Sequence, residues 1–302
     1  MRSFPRLSLV IAVLVFSLPE LLITGCTTAT PPAPAATVAP TAALQPDPRF
    51  ELPATDDSFP GNAGPIRRAD WFRKTWRDRR QAFAASAAHD EHALVFLGDS
   101  ITQGWKDLLG SSFPGLKVAN RGISGDTTRG VLFRLPDDVL SLHPAGVVLL
   151  IGTNDLEDAA EPWTVATNIR LIIDALKKHD PKMPVVLCEV MPSSLAKKRS
   201  AGRIKRTNQL LEQAVRDQPQ VTLVDTWNLF ANAEGDARPE EFPDLLHPNA
   251  AGYAKWAAGL RPVLATLGFL DNESDTFTPE PGAISLFDGH DLTGWEIGRA
   301  HV

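Results

Sequence analysis

The chain has 302 residues, of which 43% are hydrophobic and 22% charged, and a formal charge of −6. This composition buries a core in one large or two small domains. The acid excess, without a basic run, excludes nucleic-acid binding, which rests on phosphate neutralisation. Two cysteines exclude a disulfide scaffold.

The first element is a targeting segment. Arg2 and Arg6 precede Leu7 to Ile23, which is apolar apart from Ser8, Ser17, Pro19 and Glu20. A basic start, an apolar stretch and small residues before a cleavage point predict a secretory signal over residues 1–25. Ile23-Thr24-Gly25-Cys26 resembles the bacterial lipobox. That resemblance implies diacylation of Cys26 and an exported lipoprotein of the cell envelope, held to the membrane through this residue. The competing reading is a plain signal peptide or an anchor with an incidental cysteine, and Pro19 and Glu20 argue against a stable spanning helix. Thr27 is not the aspartate of inner-membrane retention, so an outer-membrane location follows if the host is Gram-negative. Residues 26–65 are rich in Pro, Ala and Thr and predict an extended tether.

From Ile66 to about Ala88, Trp71, Phe72, Trp76 and Phe83 recur at helical spacing and predict an amphipathic helix. Ala93 to Leu97 is a continuous apolar run, the mark of a strand buried on both faces. Similar runs occur at Leu116–Ala119, Val147–Ile151, Val185–Val190 and Val221–Val224. Cys188 lies in one of them and reads as a buried, inert thiol. Helical patterns fill the gaps: Thr127–Leu140, Glu161–Lys178, Leu195–Asp217 and Asn249–Leu267. Five strands alternating with helices predict an α/β protein with a parallel sheet covered on both faces. Ligand sites in such sheets lie beyond the carboxyl ends of the strands.

Four blocks at these positions carry polar chemistry. They are Gly98-Asp99-Ser100-Ile101-Thr102, Asn120-Arg121-Gly122-Ile123-Ser124-Gly125-Asp126-Thr127-Thr128, Gly152-Thr153-Asn154-Asp155, and Asp244-Leu245-Leu246-His247-Pro248-Asn249. Each is weak alone. In this order they resemble the SGNH (GDSL-type) hydrolase family over roughly residues 66–270. The stretch Asn120–Leu135 looks most like the catalytic subunits of platelet-activating-factor acetylhydrolase and their bacterial relatives. The resemblance implies a three-layer α/β/α, flavodoxin-like fold with a five-stranded parallel sheet. It also implies a nucleophile at Ser100, a base at His247 oriented by Asp244, and an oxyanion hole made by the N–H groups of Ser100 and Gly125 and the amide of Asn154. Gly125 is preferred to Gly122 because it precedes Asp126.

The chemistry of these residue types agrees. A serine hydroxyl attacks only when a base takes its proton. An aspartate three residues before a histidine reaches its Nδ1 and sets the tautomer. Asparagine donates without titrating. Asp99 and Asp155 read as structural hydrogen-bonders, and Asn249 as a helix cap. His89, His92, His143 and His179 read as solvated. Arg121, Thr127 and Arg134 are open between substrate contact and a paired or capping role. Asp244 and His247 would need further ligands to hold a metal, so neither metal nor cofactor is expected.

The sequence therefore predicts a lipid-anchored serine esterase acting on small acyl esters, acetyl groups on sugars foremost. The alternatives are a lysophospholipase or thioesterase, and a carbohydrate-binding surface protein without turnover. Residues 271–283, with Pro279 and Pro281, read as a linker. Residues 284–302 open with Ile284-Ser285-Leu286-Phe287-Asp288-Gly289, which resembles the start of a 3-keto-disaccharide hydrolase-type β-sandwich domain. Glu296 to Val302 matches the translation of a sequencing-adapter read and is expected to be artefactual.

Overall fold

The computed structural model describes residues 47–61 and 63–271. The signal, Cys26, the tether up to residue 46 and the C-terminal stretch from 272 lie outside these residues. Five strands, β1 (Leu94–Gly98), β2 (Val118–Gly122), β3 (Gly146–Leu150), β4 (Val185–Cys188) and β5 (Val221–Val224), form one all-parallel sheet in the order β2-β1-β3-β4-β5. The helices are α1 (Asp70–Asp90), α2 (Ser100–Gln103), α3 (Leu108–Ser112), α4 (Thr128–Asp138), α5 (Thr153–Glu157), α6 (Pro162–His179), α7 (Ala201–Val215), α8 (Thr226–Phe230) and α9 (Ala250–Thr266). This is the three-layer α/β/α arrangement of the SGNH hydrolases.

The apolar runs become strands because both faces are covered. Val95, Leu97, Val147 and Leu149 pack with Val131, Ile169, Ile173 and Leu211 of α4, α6 and α7. Phe96, Val148 and Val186 pack on the other face with Trp105, Trp256 and Leu260. Burial of this kind contributes about 25 cal/mol per Å² of apolar surface. Cys188 lies in this second layer, and burial pushes its thiol up to about 12. The chain leaves β1 toward β2 on one side and returns through β3 on the other. The ends of β1 and β3 therefore flank the switch point where such sheets bind ligands.

Several boundaries differ from the sequence expectation. The second strand begins at Val118 and runs on through Asn120 and Arg121. Arg121 is tolerated there because its Nη1 pairs with Asp90 Oδ2 at 2.8 Å and its Nε donates to Asp138 O at 2.9 Å. The helix expected from Leu195 begins at Ala201, because a short 3₁₀ turn at Leu195–Lys197 ends on Lys198 at φ +60°. His89 sits 2.9 Å from Asp90, His92 meets His143 O at 3.0 Å, and the rings of His143 and His179 stack at 5.5 Å. These four histidines are exposed, as expected, although each also has a neighbour at the surface.

The tether also needs correction in its second half. Leu52 and Phe59 are each 5% exposed and join Phe72, Trp76, Phe83 and Ile123 in a third apolar cluster. Thr127 Oγ1 donates to Pro65 O at 2.8 Å, and Arg129 donates to Gly64 O and Asp56 O at 3.3 and 3.1 Å. Residues 47–61 and 63–69 are a strap docked on the sheet domain. The proline-rich average concealed two large apolar side chains, which are enough to dock it.

Candidate active site

The turn after β1 sets Ser100. Gly98 has no room for a Cβ between Leu150 O and the Thr102 hydroxyl. Asp99 caps α2, its Oδ1 accepting from Ile101 N–H at 2.9 Å, as expected of a structural group. Burial pushes the Asp99 carboxyl up to about 6. Ser100 opens the helix, where its own N–H has no intrahelical acceptor.

His247 reaches this serine from the loop before α9. Its Nε2 stands 2.9 Å from Ser100 Oγ, and its Nδ1 stands 2.8 Å from Asp244 Oδ2. A carboxylate only accepts, so Nδ1 carries the proton and Nε2 presents a lone pair to the serine hydroxyl. Asp244 Oδ1 also accepts from the N–H groups of Leu246 and His247, at 3.1 and 2.7 Å. Burial raises the Asp244 carboxyl, but the bonds from His247 outweigh it and hold it below its ordinary value. Ser193 Oγ donates to Leu245 O at 2.8 Å, which fastens the loop from β4's side. Asn249 caps α9 through Gly252 N–H at 3.0 Å, and Tyr253 donates to Ile101 O at 2.8 Å. The loop and the serine turn are therefore tied through one helix.

The groups expected as oxyanion donors come from two other loops. Gly125 has φ +85°, and a Cβ there would come within 2.5 Å of Trp71 Cη2. Its N–H donates to no protein acceptor among the described residues. Gly122 instead packs against the backbone of Gln103, which accounts for its lack of a side chain. Asn154, at the start of α5, donates from Nδ2 to Asp126 O at 2.8 Å and is 3% exposed. The structure thus joins Asn154 to the turn that holds Gly125. Asp126 is fixed in turn by Arg134 Nε at 2.8 Å, and Asp155 accepts from the Thr128 hydroxyl at 2.6 Å. Thr127 caps α4 and Arg134 is fully buried in its ion pair, so the paired and capping roles are the ones realised.

Three residues around Asn154 had escaped the sequence reading. Arg67 Nη1 and Arg199 Nη2 both donate to its Oδ1, at 3.2 and 3.1 Å, and Glu157 accepts from both guanidiniums. None stands within a recognisable motif, and Arg67 lies in the strap, two residues past the stretch read as tether. Among the described residues, no group of three His, Cys, Asp or Glu side chains is arranged to hold a metal ion.

A family model for the GDSL-like lipase/acylhydrolase family matches residues 96–255, which include all four blocks. The chain belongs to this family. It is an ester hydrolase. It is 29% identical over 199 residues to platelet-activating factor acetylhydrolase IB subunit alpha2 of Bos taurus, covering 64% of this chain and 84% of the relative. The alpha1 subunit of the same organism is 28% identical over 214 residues, covering 68% and 90%. Among solved structures, a GDSL-like lipase of Bacteroides thetaiotaomicron superimposes with a TM-score of 0.56 at 25% identity, covering 62% of this chain and 98% of that one.

Proposed function

We propose that this acylhydrolase is a serine esterase that removes small acyl groups, acetyl foremost, from carbohydrates, with Ser100, His247 and Asp244 as its triad. The unbroken line from Ser100 Oγ through both ring nitrogens of His247 to Asp244 Oδ2 carries this reading. His247 Nε2 takes the hydroxyl proton as Ser100 Oγ bonds to the acyl carbon. The N–H groups of Ser100 and Gly125 and the free N–H of Asn154 receive the developing oxyanion, each donor contributing about 3 kcal/mol. Collapse breaks the ester C–O bond, and His247 returns the proton to the departing alcohol. Water then loses a proton to His247, attacks the acyl-enzyme and releases the acid with Ser100 restored.

Two observations support the small acyl group and the sugar. The relatives are acetylhydrolases by name. Trp71, 53% exposed, stands against Gly125, and its exposed indole is a surface on which a sugar ring can stack. The test is turnover on nitrophenyl esters of increasing chain length and acetate release from acetylated polysaccharides, with Ser100→Ala as the blank. The reading expects acetyl esters to be cut fastest, acetate to be freed from at least one glycan, and Ser100→Ala to be inactive. Rates that rise with acyl length would replace it with a lysophospholipase or thioesterase. No turnover on any ester would leave a binding protein.

We also propose that Cys26 is lipidated and that the chain is exported to the cell envelope, to the outer membrane in a Gram-negative host. The basic start, the apolar stretch and the lipobox-like Ile23-Thr24-Gly25-Cys26 support this. Cys26→Ser should give unprocessed or soluble protein. Unchanged membrane fractionation would defeat the proposal.

A further inference from the structure

Asn154 has more partners than an oxyanion donor needs, and their chemistry is one-sided. Its Oδ1 accepts two guanidinium bonds, from Arg67 and Arg199. Its Nδ2 gives one hydrogen to Asp126 O and keeps the other. Guanidiniums only donate and a carbonyl only accepts, so these three contacts settle which end of the amide is which. A side-chain amide held by Asp126 O alone rotates more freely, and half a turn would aim lone pairs, not a hydrogen, at the oxyanion.

We propose that Arg67 and Arg199 are positioning residues that lock and polarise the Asn154 carboxamide, so that its free N–H is the stronger and better-aimed donor to the oxyanion. This rests on the reading of Asn154 given above. Bonds from a cation to an amide oxygen are roughly twice as strong as neutral ones. They also draw electron density toward that oxygen, which makes the N–H more acidic through the shared amide system.

The surroundings fit this role. Arg199 is 2% exposed and is aimed by three further bonds, to Thr153 O at 3.0 Å, Lys197 O at 2.7 Å and Glu157 Oε2 at 2.8 Å. Arg67 is aimed by Asp158 Oδ2 at 2.8 Å and by Glu157. Two cations thus meet two carboxylates, which offsets the cost of gathering the charges, while the cationic ends face the amide. Burial opposes ionisation of Glu157, but the Arg67 bond and the Arg199 charge outweigh it and hold its carboxyl below the ordinary value. The two arginines arrive from separate places. Arg199 follows the turn at Lys198, and Arg67 belongs to the strap, outside the segment that the family model matches. The strap is therefore part of the catalytic apparatus as well as of the core.

The experiment is a double-substitution cycle on the full chain, Arg67→Met with Asn154→Ala, read as kcat and KM on a nitrophenyl acetate. Arg67 is the better probe, because buried Arg199 is at greater risk of failing to fold. Arg67→Met should lower kcat by about 10-fold, a fraction of the 10²–10³ that a whole donor contributes, with KM within about twofold. Arg67→Lys keeps the charge and should recover part of that loss. In the Asn154→Ala background Arg67→Met should have no further effect. Full kcat in Arg67→Met, a loss carried by KM, or an undiminished loss in the Asn154→Ala background would each overturn the proposal. If Asn154→Ala alone leaves kcat unchanged, the oxyanion reading itself fails, and the coupling falls with it.

Discussion

Asp155 accepts both the backbone N–H and the hydroxyl of Thr128, at 3.0 and 2.6 Å, in a fully buried position where no cation among the described residues pairs with it. Burial pushes its carboxyl up to about 7, while the bonds from Thr128 pull the other way. An unfolded aspartate ionises near 3.9, so folding takes up a proton between that pH and about 7. The stability contributed by Asp155 is present at the acid end of this window and is lost as pH rises through about 7. Thermal unfolding of wild type and Asp155→Asn between pH 5 and 8 checks this. The wild-type Tm should fall more steeply with pH than that of the variant, and parallel curves would mean that Asp155 is already ionised.

Asn154→Ala should lower kcat by about 100-fold or more with KM nearly unchanged, since an oxyanion donor acts in the transition state. Steady-state kinetics on a short-chain ester decide it. A loss of that size confined to KM would assign Asn154 to ground-state binding.

Gly125→Ala meets two obstacles at one position. An alanine at φ +85° costs about 1–2 kcal/mol, and its methyl group would press on Trp71. The expected outcome is a Tm lower by several degrees and kcat lower by at least about 10-fold as the N–H is displaced. Wild-type kcat in a folded Gly125→Ala protein would remove this N–H from the oxyanion hole.

Phe59→Ala should destabilise by about 3 kcal/mol, the cost of removing a buried phenylalanine. Phe59 packs on Phe133 with ring centroids 4.5 Å apart and lies in the same cluster as Trp76. Denaturant unfolding measures it. A change below about 1 kcal/mol would show that the strap docks without stabilising the domain.

Strand and helix alternation, the strand ends that carry Ser100 and Asn154, the structural role of Asp99 and the helix cap at Asn249 are all legible in the sequence alone. They follow from local physics: apolar runs need two covered faces, and short polar side chains cap helices within two or three residues of themselves. The Asp244–His247 contact is local as well, three residues apart on one loop. Tertiary structure decided what sequence distance hides. His247 meets Ser100 across 147 residues, and Arg67 meets Asn154 across 87. The first was inferred through resemblance and the second was missed. Ion pairs and hydrogen bonds form between whichever groups packing brings within about 3 Å, and no periodicity in the chain encodes that proximity. The strap shows the same limit from the apolar side: Leu52 and Phe59 sit in a polar, proline-rich stretch, and only the cavity between α1 and α4 that receives them makes them core.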